Sequence, residues 1–266
     1  MVMKDFTIDI YKKLLSSLLE LDFQFLTYLD FHLQTSESNK RFITLRHDVD
    51  DLKENSLEFA KIQHDLGIKS TYYFRVIPQS FDERIIKEVY EMGHEIGYHY
   101  ETMDTCRGNV DMAYKEFCVH LDMFRKISPI KTICMHGSPL SKFDNRDIWK
   151  KYDYQKLGII AEPYFDVDFS KTYYLTDTGR RWNGNKVSVR DKAINDDKVS
   201  NIDFNKRNYY STNEIITDLK KRDFPEKVMM TFHPQRWSNN NYFWLKELLL
   251  QNFKNQIKRI IVKKSI

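Results

Sequence analysis

Cysteine is scarce: the chain has three, Cys106, Cys118 and Cys134, an odd number without the C-x-x-C spacing of a zinc knuckle or redox pair. They read as reduced thiols, not as a disulfide framework. Long apolar runs are missing too, and no segment approaches the roughly 20 residues needed to cross a bilayer. The opening Met1-Val2-Met3-Lys4-Asp5-Phe6 lacks the basic, apolar, small-residue order of a secretory signal. These absences predict a cytoplasmic protein without a transmembrane segment. Charge of one sign is also in short supply: 42 Lys and Arg against 38 Asp and Glu leave a net +4, too weak a field to argue for nucleic acid. The late basic cluster of Lys254, Lys258, Arg259, Lys263 and Lys264 reads as the solvated face of a terminal helix and strand. Internal repeats and low-complexity tracts are absent, and oligomeric state is left open.

What is present suits one domain over 1–266. A chain of 266 residues that is 41% hydrophobic and 14% aromatic can bury a full core. Apolar periodicity predicts helices over Asp9–Leu21, Glu54–Leu66, Phe81–Met92, Val110–Arg125, Asp144–Lys151, Thr212–Arg222 and Tyr242–Lys258. Runs of β-formers predict strands over Ser70–Arg75, Lys131–Met135, Leu157–Ala161 and Lys227–Phe232, with Phe23–Leu29 a short strand or extended lead-in. Residues 163–207 read as an elaborated rim, with Tyr173, Tyr174, Leu175, Val187 and Val189 able to form a hairpin. Alternating strands and helices predict an α/β fold with a parallel sheet, either a barrel or a doubly wound sheet, behind an N-terminal helical extension over 1–35.

Four apolar runs end in histidine, alone or with acids: Ile43 to Asp50, Glu95 to Glu101, Thr132 to His136 and Met229 to His233. In parallel α/β folds, groups at the carboxyl ends of strands converge on one rim. Arg46, Asp48 and Asp50 share parity, so in an extended chain they point to one side and His47 to the other. Two carboxylates this close repel when ionised unless a cation or metal stands between them. The competing reading makes Asp48 and Asp50 caps of the helix starting near Lys53. His99 and Glu101 share a side as well, and such nitrogen and oxygen donors suit zinc or another borderline divalent ion. His94 reads as a structural loop histidine and Met103 as packing.

As a set, Asp48-Val49-Asp50 after a β run, Gly93-His94-Glu95-Ile96-Gly97-Tyr98-His99 and a late strand ending in His233 resemble the polysaccharide deacetylase family, the carbohydrate esterase family four group, in its divergent members with an Arg-His-Asp-Val-Asp start. The resemblance runs from about Phe42 to about Trp237. It implies a distorted, often incomplete (β/α) barrel that removes N-acetyl or O-acetyl groups from sugars with one divalent metal, zinc foremost and nickel, cobalt or manganese after it. By position it implies Asp48 as general base, Asp50 and His99 as metal ligands and His233 as general acid. The family places a second histidine four residues after the first, where this chain has Met103, and a thioether suits zinc poorly. Glu101 and His136 are the candidates to replace it. The family's arginine and proline segment is not recognisable, and His136-Gly137-Ser138-Pro139 stands in its place.

Arginine beside tryptophan in Arg180-Arg181-Trp182 and in Arg236-Trp237 suits sugar stacking and anion recognition. With Arg46, the residues Arg180, Trp182, Arg236 and Trp237 are therefore candidate contacts to a sugar, free or linked to a nucleotide or lipid. Arg190-Asp191 resembles a buried ion pair. The expected activity is metal-dependent amide hydrolysis in surface polysaccharide or glycoconjugate synthesis. Its rivals are a sugar-binding pseudoenzyme, with Met103 marking a lost metal, and a hydrolase of another small amide such as a ureide.

Overall fold

The computed structural model describes residues 4–34, 41–137, 141–182 and 207–264. Its centre is an all-parallel sheet of strands β1 (Gln24–Leu26), β2 (Phe42–Val49), β3 (Thr71–Phe74), β4 (Glu95–Tyr100), β5 (Ile133–Met135), β6 (Tyr173–Thr176) and β7 (Lys227–Phe232). Their spatial order is β5-β4-β3-β2-β7-β6, and β1 pairs with the first residues of β2. Along β2 the partner on one side changes from β1 at residues 42–44 to β3 at 46–49, while β7 runs beside residues 42–47 on the other. The order ends at β5 and β6, which do not pair with one another among the described residues, so the architecture is an incomplete (β/α) barrel. Every residue of β2 and β3 is buried, as expected where helices and inner side chains cover both faces of a parallel sheet.

Around the sheet stand α1 (Ile8–Leu19), α2 (Tyr28–Leu33), α3 (Lys53–Asp65), α4 (Glu83–Glu91), α5 (Thr102–Thr105), α6 (Val110–Arg125), α7 (Pro163–Asp166), α8 (Thr212–Lys220) and α9 (Asn241–Lys264). Side-chain caps start most of them: Thr7 accepts from the Ile10 amide, Asp82 from Ile85, Asn109 from Met112 and Ser211 from Glu214. Each such cap satisfies an amide that the helix leaves unpaired. Helix α1 buries Ile10, Leu14 and Leu18 and sets Tyr11 against Phe59, Phe232 and Trp237. Gly97 in β4 is required by close approach, because a Cβ there would stand 2.3 Å from the Tyr73 ring and 3.0 Å from the Thr132 carbonyl oxygen.

Several elements differ from expectation for local reasons. Only three residues of the Phe23–Leu29 stretch form a strand, because Thr27 accepts from the Asp30 amide and starts α2. Residues 145–150 form a 3-10 helix instead of an α-helix. The strand expected at Leu157–Ala161 is reduced to one bridge, Thr132 with Ala161, since Glu162 caps α7 with Pro163 in its first turn. Tyr173–Thr176 pairs in parallel with β7, not in a hairpin, and Val187, Val189, Arg190 and Asp191 lie outside the described residues. The basic C-terminal stretch lies in one helix that runs to Lys264, where a helix and a strand were expected.

Candidate active site

Six strands deliver polar groups to one rim. β2 brings Asp48 and Asp50, β3 Arg75, β4 His99 and Glu101, β5 His136, β6 Asp177 and β7 His233, each at or just beyond the strand's carboxyl end. Asp50 is the hub. Its Oδ1 lies 3.6 Å from His99 Nε2 and 3.5 Å from His136 Nε2, and its Oδ2 lies 3.8 Å from His233 Nε2. Asp48 approaches the same His99 nitrogen at 3.9 Å. Neither aspartate caps α3, whose N-cap is Leu52 in left-handed conformation with no side-chain bond.

Three of the four carboxylates around Asp50 and its neighbours carry a guanidinium. Arg46 donates Nε and Nη2 to the two oxygens of Asp48 at 3.0 and 2.9 Å, a buried bidentate pair. Arg75 forks onto Glu101 at 3.0 and 2.6 Å and also reaches the Asp50 carbonyl. Asp177, fully buried, accepts from Arg236, from the Trp237 indole, from the His233 amide and from His233 Nδ1 at 2.5 Å. Asp50 has no such partner on its side chain, and its buried Oδ1 receives no hydrogen bond from any described residue. A buried carboxylate oxygen left without a donor costs free energy unless a cation or proton meets it.

The imidazoles are oriented to help. His99 Nδ1 lies 2.9 Å from the Cys134 carbonyl, which can only accept, so Nδ1 carries the proton and Nε2 turns its lone pair toward Asp50. His136 Nδ1 stands 3.1 Å from Glu101, a carboxylate behind an imidazole. Asp177 plays that part for His233. Burial pushes the His99 pKa down, against the pull of Asp48 and Asp50, and favours the neutral ring. For Asp50, burial alone would raise the pKa, but His136, His233, His99 and Arg75 together hold it well below the usual carboxylate range. Glu101 is likewise held down to about 2, its burial outweighed by His136 and Arg75. Burial lowers the His136 pKa, yet Asp50 and Glu101 raise it overall.

One carboxylate oxygen with two or three imidazole nitrogens is a donor set for zinc or a similar borderline ion. Ligands about 2.0–2.1 Å from a tetrahedral zinc stand about 3.3 Å apart, close to the 3.5 and 3.6 Å separating Asp50 Oδ1 from the His136 and His99 nitrogens. Among the described residues no group of three or more His, Cys, Asp or Glu side chains is already gathered to metal-holding geometry. The chemistry of the donors and the unpartnered Oδ1 fit a cation. Solvent reaches the cluster at Asp50, 20% exposed, and at His136, Glu101 and Arg75, each 16% exposed.

The residues expected at the substrate are buried in contacts with other parts of the protein. Trp237 is wholly buried and bonded to Asp177, and Trp182 is buried with its indole donating to Thr212, so neither offers a face to a sugar. Arg236 is spent on Asp177 and Arg46 on Asp48. Arg180 lies over the Trp244 ring at 4.4 Å and donates to the Trp244 carbonyl. These five serve as supports because burial leaves them no open side. His47 likewise points away, stacked on Tyr72 and bonded among Thr71, Gln63 and Tyr11. His94 is bonded to the Ala60 carbonyl and the Ser70 amide, and Met103 is buried. Asp177, in a polar segment expected near the rim, and Arg75 are not among the site residues expected from the histidines at strand ends; both directly follow strands, so the same rule applied to every charged residue finds them.

Behind Arg46 lies a further carboxylate, Glu162, fully buried and accepting from the Met135 and Tyr164 amides. Burial raises its pKa to about 7 despite those bonds and the pull of Arg46 and Arg146. The folded state therefore binds a proton that the unfolded chain releases near pH 4.5, so stability declines as pH rises from there to about 7. Glu162→Gln removes this slope. The difference in unfolding free energy between wild type and variant should change by about 3 kcal/mol as pH rises from about 4.5 to 7 and level off above that; a difference independent of pH would show Glu162 to be ionised throughout.

No protein-family model matches the chain. Among curated proteins none matches either. Solved structures do. A wild-type CE4-family pseudoenzyme from Bacillus anthracis shares 11% identity over 83% of this chain and 62% of its own, with a TM-score of 0.44. A family 4 carbohydrate esterase from Bacillus anthracis shares 12% over 93% and 96%, with a TM-score of 0.41. A polysaccharide deacetylase from Bacillus cereus shares 11% over 82% and 89%, with a TM-score of 0.40. Solved structures similar to this chain thus include both a CE4-family pseudoenzyme and a family 4 carbohydrate esterase. This chain spans under two thirds of the length of the pseudoenzyme.

Proposed function

We propose that the chain is a metal-dependent hydrolase that removes an acetyl group from an N-acetylated sugar, working in the cytoplasm on surface polysaccharide or glycoconjugate precursors, nucleotide-linked or lipid-linked. The observation that carries the reading is Asp50: a carboxylate without a guanidinium, its Oδ1 unbonded and faced by imidazole nitrogens. Asp50, His99 and His136 would hold the ion, with His136 supplying the imidazole that Met103 does not. Zinc suits this donor set best, with nickel, cobalt and manganese the other candidates. Such an ion, when bound, supplies a polarised acetyl carbonyl and a more acidic water. Asp48 accepts the water's proton, its carboxylate oriented by the Arg46 fork. His233 protonates the leaving nitrogen through Nε2, while Asp177 fixes the ring from Nδ1. Glu101 positions His136 and is itself held by Arg75.

Elemental analysis of protein purified without chelator and incubated with zinc, cobalt, nickel and manganese should find about one divalent ion per chain. A chain that stays metal-free would sink the proposal. It would favour the second reading, a sugar-binding pseudoenzyme, which rests on Met103 where the family has a histidine and on donors not yet gathered to metal-holding geometry. A metal-loaded chain that ignores acetylated sugars but cleaves another small amide would keep the metal and change the substrate.

A further inference from the structure

Helix α9 is built inside out. An ordinary surface helix turns its apolar stripe to the core. Here Gln251 and Asn255 are buried, the Asn255 amide donates to the Gly179 carbonyl at 2.8 Å, and Arg180 bonds the helix backbone at Trp244. A Cβ on Gly179 would stand 2.6 Å from Asn255, so helix and loop are in close contact. The outward side carries Tyr242, Phe243, Leu245, Leu249, Leu250 and Phe253, each 41–69% exposed. Half-exposed side chains of roughly 150–250 Å² each make an apolar surface of about 600 Å². That is at the top of the range, roughly 300–600 Å², for the largest patch on a soluble monomer.

Charge selects the occupant. The helix sequence holds Lys246, Lys254, Lys258, Arg259, Lys263 and Lys264 against Glu247 alone, a net of six minus one, or +5. The whole chain is +4, so the remainder is −1 and the helix carries the entire positive excess. Two such helices would repel one another if paired. An anionic lipid surface meets both features at once, taking up the apolar stripe and attracting the helix's net positive charge. No helix among the described residues is long and apolar enough to cross a membrane, so α9 would lie on the surface, not span it. We propose that α9 is a membrane-surface anchor specific for anionic lipid. Its bonds to Gly179 and Arg180, just past Asp177, put it on the loop at the carboxyl end of β6, the end of the sheet where the candidate site opens.

Flotation of the full chain with vesicles tests it. Vesicles of phosphatidylcholine with about 30% phosphatidylglycerol should carry the protein up the gradient, and pure phosphatidylcholine vesicles should leave most of it behind. Leu249→Gln with Phe253→Gln, both exposed, should keep the thermal midpoint and weaken binding at least tenfold, since each buried CH₂ contributes about 0.8 kcal/mol. Lys246→Glu with Lys254→Glu should weaken it about as much, as should high salt. No binding to anionic vesicles, equal binding to both compositions, or binding untouched by either pair of substitutions would overturn the proposal. So would a lipid-free dimer dissociated by Leu249→Gln with Phe253→Gln in a protein that ignores vesicles, which would make the stripe an interface between copies.

Discussion

Asp50→Ala should abolish metal binding and turnover together, while Asp48→Asn should keep the metal and lose turnover. The two carboxylates sit two residues apart on one side of β2, yet the structure gives them different neighbours. Asp48 is already neutralised by Arg46, with both oxygens occupied, so the cation gains little from it. Asp50 has an unbonded oxygen among imidazoles. Lewis-acid assistance is worth several kcal/mol and each 1.4 kcal/mol is a factor of ten, so Asp50→Ala should cost roughly 10³-fold or more in kcat. Losing the base in Asp48→Asn should cost about 10²- to 10⁴-fold. Metal titration by calorimetry alongside a deacetylation assay separates the two. Equal loss of metal in both variants would assign Asp48 to the ion and leave the base to be found elsewhere.

His233→Ala should retain the metal and lower turnover by about 10²- to 10⁴-fold, the usual worth of a positioned proton donor. Substrates with better leaving groups need less protonation and should suffer less. Asp177→Asn tests the support behind it: the ring loses its carboxylate partner at Nδ1, so the alkaline limb of the pH profile, which the general acid sets, should move while KM changes little. Because Asp177 is fully buried and also holds Arg236 and Trp237, the variant's thermal midpoint must be measured beside its kinetics. Loss of metal in His233→Ala would make His233 a fourth ligand, a role its 3.8 Å approach to Asp50 would then have reflected.

The alternation of helices and strands was legible because apolar periods of 3.6 and 2 are local properties. That is why α3, α4, α6 and α8 fall within a few residues of expectation. The separation of His47 from Asp48 and Asp50 was legible too, since alternation along an extended strand needs no knowledge of partners. Short elements escaped for the same reason in reverse: α2, the 3-10 turn at 145–150 and the lost strand before Glu162 were set by single caps, not by a repeating pattern.

By itself, the sequence determined the fold class, the strand ends at which chemistry could gather, and the identity of the groups available there. Only the tertiary structure decided which of them face one another. Burial turned Trp182, Trp237, Arg180 and Arg236 from surface candidates into supports, because solvent exposure depends on what packs over a residue and not on its neighbours in the chain. Pairing decided the rest. Three arginines from β2, the end of β3 and the turn after β7 each took a carboxylate, and the distances across the sheet left Asp50 as the one without a guanidinium, beside nitrogens from β4, β5 and β7. Electrostatic pairing falls off over a few ångströms. Separation along the chain, 86 residues from Asp50 to His136 and 183 to His233 by their numbers, carries no information about it.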